Sequence, residues 1–346
     1  MTLDELLKAT ARTLYLSAKI MPSKTRKAFC CGYLLCRAAD SIADTGLIEA
    51  GLRLRLIKDY PRIIQTQDAK LLSAFFAAVP RGAKMHAAEQ TLLNNIDICL
   101  KAYNALPPAH RDMILDVAGA VCSAMERDLS YFPAENYRLI KALPDAAQTI
   151  AYCDEMGGEP GAFWARLLLD GKKNDDFINN GRAVGRALQI TNILRDLPAD
   201  AAIGRCYLPL TDLTAQNLLP QDLLNKKNYK KLRPVIFKWI NFGVENISAA
   251  PDFMAKIPRM QLGARAAVAW PVLWSLDTLL LLAKAKNLLD KKRRVRISKT
   301  TIWLTIFLSP LFCCSNFIFR LLVNYKAGKV KKIIKTAPRG LSIPQS

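Results

Sequence analysis

The chain has 346 residues, 51% of them hydrophobic, and a formal net charge of +21. That length buries a sizeable core in one large or two smaller domains, and the modest Gly and Pro content argues against disorder and against a β-sandwich. Fifteen Lys or Arg residues lie between Lys284 and Arg339 against a single acid, Asp290; with no helix-turn-helix, zinc-finger or RNA-binding signature, this charge points to an anionic membrane surface and not to nucleic acid.

In chain order, the N-terminus Met1-Thr2-Leu3-Asp4-Glu5 is acidic and lacks a signal-peptide pattern, so the body of the chain is expected in the cytoplasm. Phe29, Tyr33, Cys36 and Asp40 recur at steps of four, three and four, the period of one helix face. Asp40 and Asp44 then stand side by side at i and i+4, with Arg37 beside them. Like charges at that spacing repel unless a cation lies between them, and Mg²⁺ is the natural candidate because it takes carboxylate oxygens together with water and phosphate.

His86 and His110 sit in ordinary polar surroundings and read as structural or exposed, which disfavours a histidine-centred triad. A further amphipathic helix runs from Met113 through Val117, Val121 and Ala124 to Asp128, ending near Phe132-Pro133. Gly157-Gly158-Glu159-Pro160-Gly161 makes a poor dinucleotide loop, since no strand precedes it, and is expected to break or kink a helix that begins near Ala151. Gly181, Gly185, Leu188, Asn192, Asp196 and Asp200 form one stripe: two glycines for close packing, then three oxygen-bearing side chains beside Arg195. Apolar below and acidic above is the wall of a pocket for a ligand that is greasy at one end and phosphorylated at the other.

Strand signals are scarce, and Pro22, Pro107-Pro108, Pro133, Pro144, Pro209 and Pro220 divide the chain into many helices. The nine cysteines show neither a disulfide framework nor zinc spacing and read as small buried hydrophobes in a reducing compartment. The expectation is an all-α domain over 1–298, followed by a basic, hydrophobic segment over 299–346. Ile302 to Phe319 carries no charge, but Ser309-Pro310 and Ser315-Asn316 interrupt it. An amphipathic or docked helix pair on the bilayer is the favoured reading, and a single C-terminal span is the alternative.

These motifs resemble those of the squalene and phytoene synthases, which join two prenyl diphosphates head to head. Leu35-Cys36-Arg37-Ala38-Ala39-Asp40-Ser41-Ile42-Ala43-Asp44 is similar to the first aspartate motif of that family. Thr191-Asn192-Ile193-Leu194-Arg195-Asp196, with Asp200 and the trailing Gly204-Arg205-Cys206-Tyr207-Leu208-Pro209, is similar to the second, and Tyr152-Cys153 with Gly158 and Gly161 to the segment between them. The resemblance implies an all-α isoprenoid-synthase bundle around a central cavity. It implies that Asp40, Asp44, Asn192, Asp196 and Asp200 hold Mg²⁺, that Arg37, Arg195 and Arg205 contact diphosphate, and that Tyr33, Tyr152, Tyr207 and Gln189 line the reaction chamber. The implied reaction passes through a cyclopropyl-carbinyl diphosphate, with NADPH as a further cofactor if it is reductive.

The wording of the motifs favours two farnesyl diphosphates and a squalene-type C30 product. Phytoene synthesis from geranylgeranyl diphosphate is the alternative, as is a non-catalytic assembly factor, although relatives of that kind have lost the aspartates. The sequence departs from the family at Ala11-Arg12-Thr13-Leu14, where a hydroxyl and an aromatic are lost, at Met156 to Gly161, and at Ala199, where Glu is common.

Overall fold

A computed structural model describes residues 1–79, 85–132, 139–290 and 294–336, apart from the side chains of residues 12–14 and 24. The expected break at Pro133, the side chains of Arg12, Thr13 and Leu14, and the basic residues Lys291, Lys292 and Arg293 lie outside the described residues. The chain divides into two compact units, one formed by Met1–Pro133 with Ala162–Ile178, the other by Ala134–Gly161 with Asn179–Ser346.

The first unit contains α1 (Leu3–Thr10), α2 (Arg12–Lys19), α3 (Ser23–Asp44) and α4 (Ala50–Thr66). It continues with α5 (Ala69–Ala78), α6 (Ala87–Asn94), α7 (Ile96–Asn104) and α8 (Pro108–Tyr131). Helix starts follow local chemistry: Thr2 and Glu5 form a capping box on α1, Asp68 caps α5, and Pro108 occupies the first turn of α8. The central helix is α3, whose Leu34, Leu35, Ala38, Ala39 and Ile42 are fully buried. Tyr60 of α4 fixes its register by donating its hydroxyl to the Leu35 carbonyl at 2.9 Å. On another side a Cβ at Gly32 would lie 2.8 Å from the Phe163 ring, and Phe29 meets Trp164 edge-on at 5.4 Å.

The second unit begins with β1 (Lys141–Leu143) and α9 (Ala146–Cys153), followed by a π-helical turn over Asp154–Gly158 that feeds α10 (Glu159–Leu169). Next come α11 (Asp175–Ala202), β2 (Arg205–Pro209), α12 (Leu210–Thr214), α13 (Tyr229–Ile247), α14 (Ala250–Ala255) and α15 (Leu262–Lys284). The last elements are α16 (Lys299–Phe307), α17 (Ser309–Cys314) and α18 (Asn316–Thr336). Both α10 and α11 have part of their length in each unit.

The structure corrects the start of one helix and adds detail to two other readings. The helix expected to start near Ala151 starts at Ala146 and does not break at the glycines; one π turn absorbs the extra residue and the helix carries on into α10. A short parallel pair, β1 with β2, also forms, with Lys141 opposite Arg205. Three residues are too few to leave an alternating pattern. As the interruptions at Ser309-Pro310 and Ser315-Asn316 suggest, the uncharged run from Ile302 to Phe319 is not one helix: it is cut at Leu308 and at Ser315.

Among the described residues the helix long and apolar enough to cross a membrane is Leu262–Lys284, and 72% of its apolar window is buried within the protein. The C-terminal helices are fastened to it. Arg265 of α15, fully buried, donates to the carbonyls of Met254 at 2.9 Å, Ile257 at 2.7 Å and Cys313 at 2.5 Å, and to Asn316 Oδ1. Trp270 donates to Ser309 at 2.6 Å, and Lys326 pairs with Asp277. Four acceptors satisfy a buried guanidinium that pairs with no carboxylate among the described residues, which makes this a strong and specific clamp.

Candidate active site

In the first unit α3 brings together Tyr33, Arg37, Asp40 and Asp44 on one side, as the helical spacing requires. Arg37 is bonded to Asp40 and reaches Glu89 Oε1 of α6 at 3.1 Å. A quarter of the Asp40 side chain remains open to solvent, yet the packed helices around it desolvate the carboxyl. Burial first, then the Asp44 charge, push its pKa from 3.8 to about 7 against the opposing pull of Arg37. A recess of about 470 Å³ opens beside it, lined in part by Tyr33, Arg37, Ser41, His86 and Glu89. An adjoining recess of about 400 Å³ reaches Asp44, Leu47 and Met85 and shares His86 and Glu89.

His86, read from sequence as structural or exposed, is both exposed and structural: its Nδ1 accepts from the Ala88 amide at 3.4 Å and caps α6. The structure adds that it borders both recesses. Glu89 has no local signal, because its partner Arg37 is 52 residues away in sequence.

In the second unit α11 carries Gln189, Asn192, Arg195, Asp196 and Asp200. Arg195 grips Asp196 through two bonds, at 2.6 and 3.2 Å, and Arg294 adds two more at 2.5 and 3.0 Å. Burial pushes the Asp196 carboxyl up, but the two guanidinium groups outweigh it and hold the group below its ordinary value. Asn192 is exposed, while Gln189 and Asp200 are partly buried.

The lower part of α11 is set by glycine. A Cβ on Gly185 would lie 2.0 Å from the Gly157 carbonyl oxygen, and one on Gly161 2.2 Å from that of Gly181. The expected packing role of Gly181 and Gly185 is what the structure shows. Two ion pairs that the sequence did not disclose lock the same crossing: Arg182 with Glu159 at 2.7 Å and Arg186 with Asp154 at 2.6 Å.

Gly204 adopts φ +89°, a left-handed turn that lets the chain leave α11 and enter β2. The strand then buries Arg205 and Tyr207, and Tyr207 stacks on Tyr152 of α9 with ring centroids 4.4 Å apart and 21° between planes. Thr149 of α9 donates to the Tyr207 carbonyl at 2.8 Å and pins that strand to the helix.

A sequence profile described as squalene/phytoene synthase matches residues 7–301. The chain belongs to the squalene/phytoene synthase family. It is 30% identical to the presqualene diphosphate synthase of Rhodopseudomonas palustris over 253 residues, covering 72% of this chain and 77% of that one. It is 24% identical to the bifunctional lycopene cyclase/phytoene synthase of Pyrenophora tritici-repentis over 262 residues, or 73% of this chain and 41% of that protein's length. Among solved structures, a ligand complex of TcSQS aligns over 96% of this chain and 97% of that one, with TM-score 0.74 and 17% identity. A dehydrosqualene synthase in complex with ligand aligns over 90% and 94%, with TM-score 0.63 and 18% identity. The chain therefore has the all-α isoprenoid-synthase fold expected of it.

The carboxylate-bearing helices suit a divalent cation. Asp40 is a desolvated carboxyl with the like charge of exposed Asp44 one helical turn away, and burial first, then that charge, raise its pKa despite Arg37. Asp196 and Asp200 with Asn192 supply hard oxygen donors on α11, where two guanidinium groups already gather around Asp196. Among the described residues, no three His, Cys, Asp or Glu side chains converge, so each unit offers a carboxylate pair and not a closed cage.

Proposed function

We propose that this protein is a Mg²⁺-dependent prenyltransferase that condenses two farnesyl diphosphates head to head, through a cyclopropyl-carbinyl diphosphate, to squalene or a related C30 product. The observation that carries the reading is the Asp40–Asp44 pair on α3, with the raised pKa of Asp40 and the adjacent Arg37. Such a pair is unfavourable in a protein with nothing to bind and becomes favourable when cationic charge and diphosphate arrive together. The presqualene diphosphate synthase relative at 30% identity supports the C15 substrate.

Asp40 and Asp44, and in the other unit Asn192, Asp196 and Asp200, would hold Mg²⁺, which supplies positive charge to a diphosphate as it departs. Arg37 and Arg195 offer planar guanidinium forks, each next to a carboxylate of its own helix, to orient the phosphate oxygens. Arg205 is proposed to add a third cation to this role. The stacked rings of Tyr152 and Tyr207 present π faces that stabilise a passing allylic cation. Tyr33 in the first unit, and Leu188 and Gln189 in the second, are proposed to help keep water from quenching it. NADPH is required only if the last cation is reduced by hydride.

Relatives named phytoene synthase favour a second reading, condensation of two geranylgeranyl diphosphates to a C40 product. Purified protein with Mg²⁺ and either substrate separates the two readings by the rate of pyrophosphate release. Asp40→Asn and Asp196→Asn should each lower that rate by orders of magnitude with the helical content unchanged. Near-wild-type release by either variant would remove that aspartate from the site. A chain inert toward both substrates would be the non-catalytic family member.

A further inference from the structure

Large apolar side chains on the surface concentrate at the C-terminal end of the second unit. Trp303 and Phe307 of α16 are 62% and 80% exposed, and Phe317 of α18 is 74% exposed. Leu311, Leu321 and Tyr325 continue the set, each with more than half its surface open. Both α16 and α18 pack on α15, and α18 turns Phe319, Val323 and Val330 inward. Its outer side therefore runs from Phe317 through Leu321 and Tyr325, one turn apart, and then becomes basic at Lys329, Lys332 and Lys335. Lys329 Nζ lies 4.2 Å from the centre of the Tyr325 ring, where the apolar and the cationic parts of the face meet.

We propose that this face is a docking surface for an anionic lipid bilayer and lies in its interfacial plane. An exposed aromatic and aliphatic stripe bordered by lysines is what an interfacial helix presents to acyl chains and to anionic headgroups. Residues 299–336 contain seven Lys or Arg and no Asp or Glu, so a second copy of the same face would meet like charge, whereas an anionic surface complements it. Neither α16, with nine residues, nor α17, with six, reaches the roughly 20 residues of a span, and α18 is basic through its second half. The Arg265 and Trp270 bonds hold the helices to α15 from below, which leaves the outer side free.

Truncation would uncover the buried side of α15, so the test uses exposed point variants of the full chain. Wild-type protein, Phe307→Asp/Phe317→Asp and Lys331→Gln/Lys332→Gln are sedimented with vesicles of equal phosphatidylcholine and phosphatidylglycerol, and with phosphatidylcholine alone. Circular dichroism and pyrophosphate release are followed in parallel, since neither pair of residues belongs to the proposed active site. The wild type should sediment with the anionic vesicles, more weakly as salt is raised. Removing two charges should weaken that binding about 20- to 30-fold, at about fivefold per lysine, and the aspartate pair should abolish it with turnover retained. Equal binding of all three proteins, or equal binding to neutral vesicles, would overturn the proposal. So would a wild-type chain that ignores vesicles and elutes as a dimer split by the aspartate pair, because a second copy would then be the occupant.

Discussion

Replacing Asp40 by Asn should make the protein more stable and less active at once. The Asp40 carboxyl titrates near 7, against 3.8 for the free side chain, because burial and Asp44 disfavour its charge more than Arg37 favours it. A group whose folded pKa is raised binds more protons in the native state, so between about pH 4 and pH 7 stability falls as pH rises. At pH 8 the ionised carboxylate costs up to about 4 kcal/mol, from roughly three pKa units at 1.36 kcal/mol each. Asn mimics the neutral form and removes that cost, less whatever the Arg37 contact contributed. A gain of about 1–4 kcal/mol at pH 8 and almost none at pH 4 is expected, or about 1–5 °C in melting temperature for a chain of this length. Thermal melts by circular dichroism from pH 4 to pH 8, run beside pyrophosphate release, measure both halves. Mg²⁺ with pyrophosphate should stabilise the wild type more than the variant, since the ligand favours the ionised pair. An Asn variant less stable than wild type at pH 8, or a wild-type curve flat from pH 5 to pH 8, would refute the reasoning.

Other perturbations have equally definite outcomes. Gly185→Ala puts a Cβ 2.0 Å from the Gly157 carbonyl, so it should destabilise by about 3 kcal/mol or more, seen as an early melt or loss of soluble protein. Arg294→Gln removes one of two guanidinium groups from Asp196; as Arg294 is half exposed, the loss should be about 0.5 kcal/mol near neutrality. That contribution is present above the ordinary carboxylate pKa and vanishes as pH falls through the lowered one, so the variant and wild type should converge in acid melts. Leu188→Ala widens the α11 wall and should shift the ratio of turnover toward geranylgeranyl diphosphate, on the order of tenfold in relative kcat/KM.

What the sequence disclosed and what it withheld divide along the range of the interactions. Asp40 with Asp44, and Asn192 with Asp196 and Asp200, were legible because helical geometry turns a spacing of four into a shared face. Gly181 and Gly185 were legible as a packing stripe for the same reason, and their partners Gly157 and Gly161 lay in a segment already singled out. The π turn was legible only as a break or kink, because two glycines and a proline disfavour ordinary helix and nothing local announces a single inserted residue. Contacts between distant residues left no trace: Glu89 on Arg37, Arg186 on Asp154, and Arg294 on Asp196 across 98 residues. The interruptions of the uncharged run from Ile302 were legible at Ser309-Pro310 and Ser315-Asn316, because proline and the small polar residues mark helix ends locally. Arg265, which carries the clamp on the C-terminal helices, lies within an apolar helix where no pattern marks it.

The most direct test of the central claim is product analysis after incubation of the full chain with Mg²⁺ and farnesyl diphosphate, without and then with NADPH. The account predicts two C15 units joined in one molecule, as a C30 cyclopropyl-carbinyl diphosphate or a C30 hydrocarbon, with pyrophosphate released in step and both lost in Asp40→Asn. Phytoene from geranylgeranyl diphosphate, with farnesyl diphosphate left untouched, would contradict the C30 assignment, and no coupled product from either substrate would contradict the enzyme.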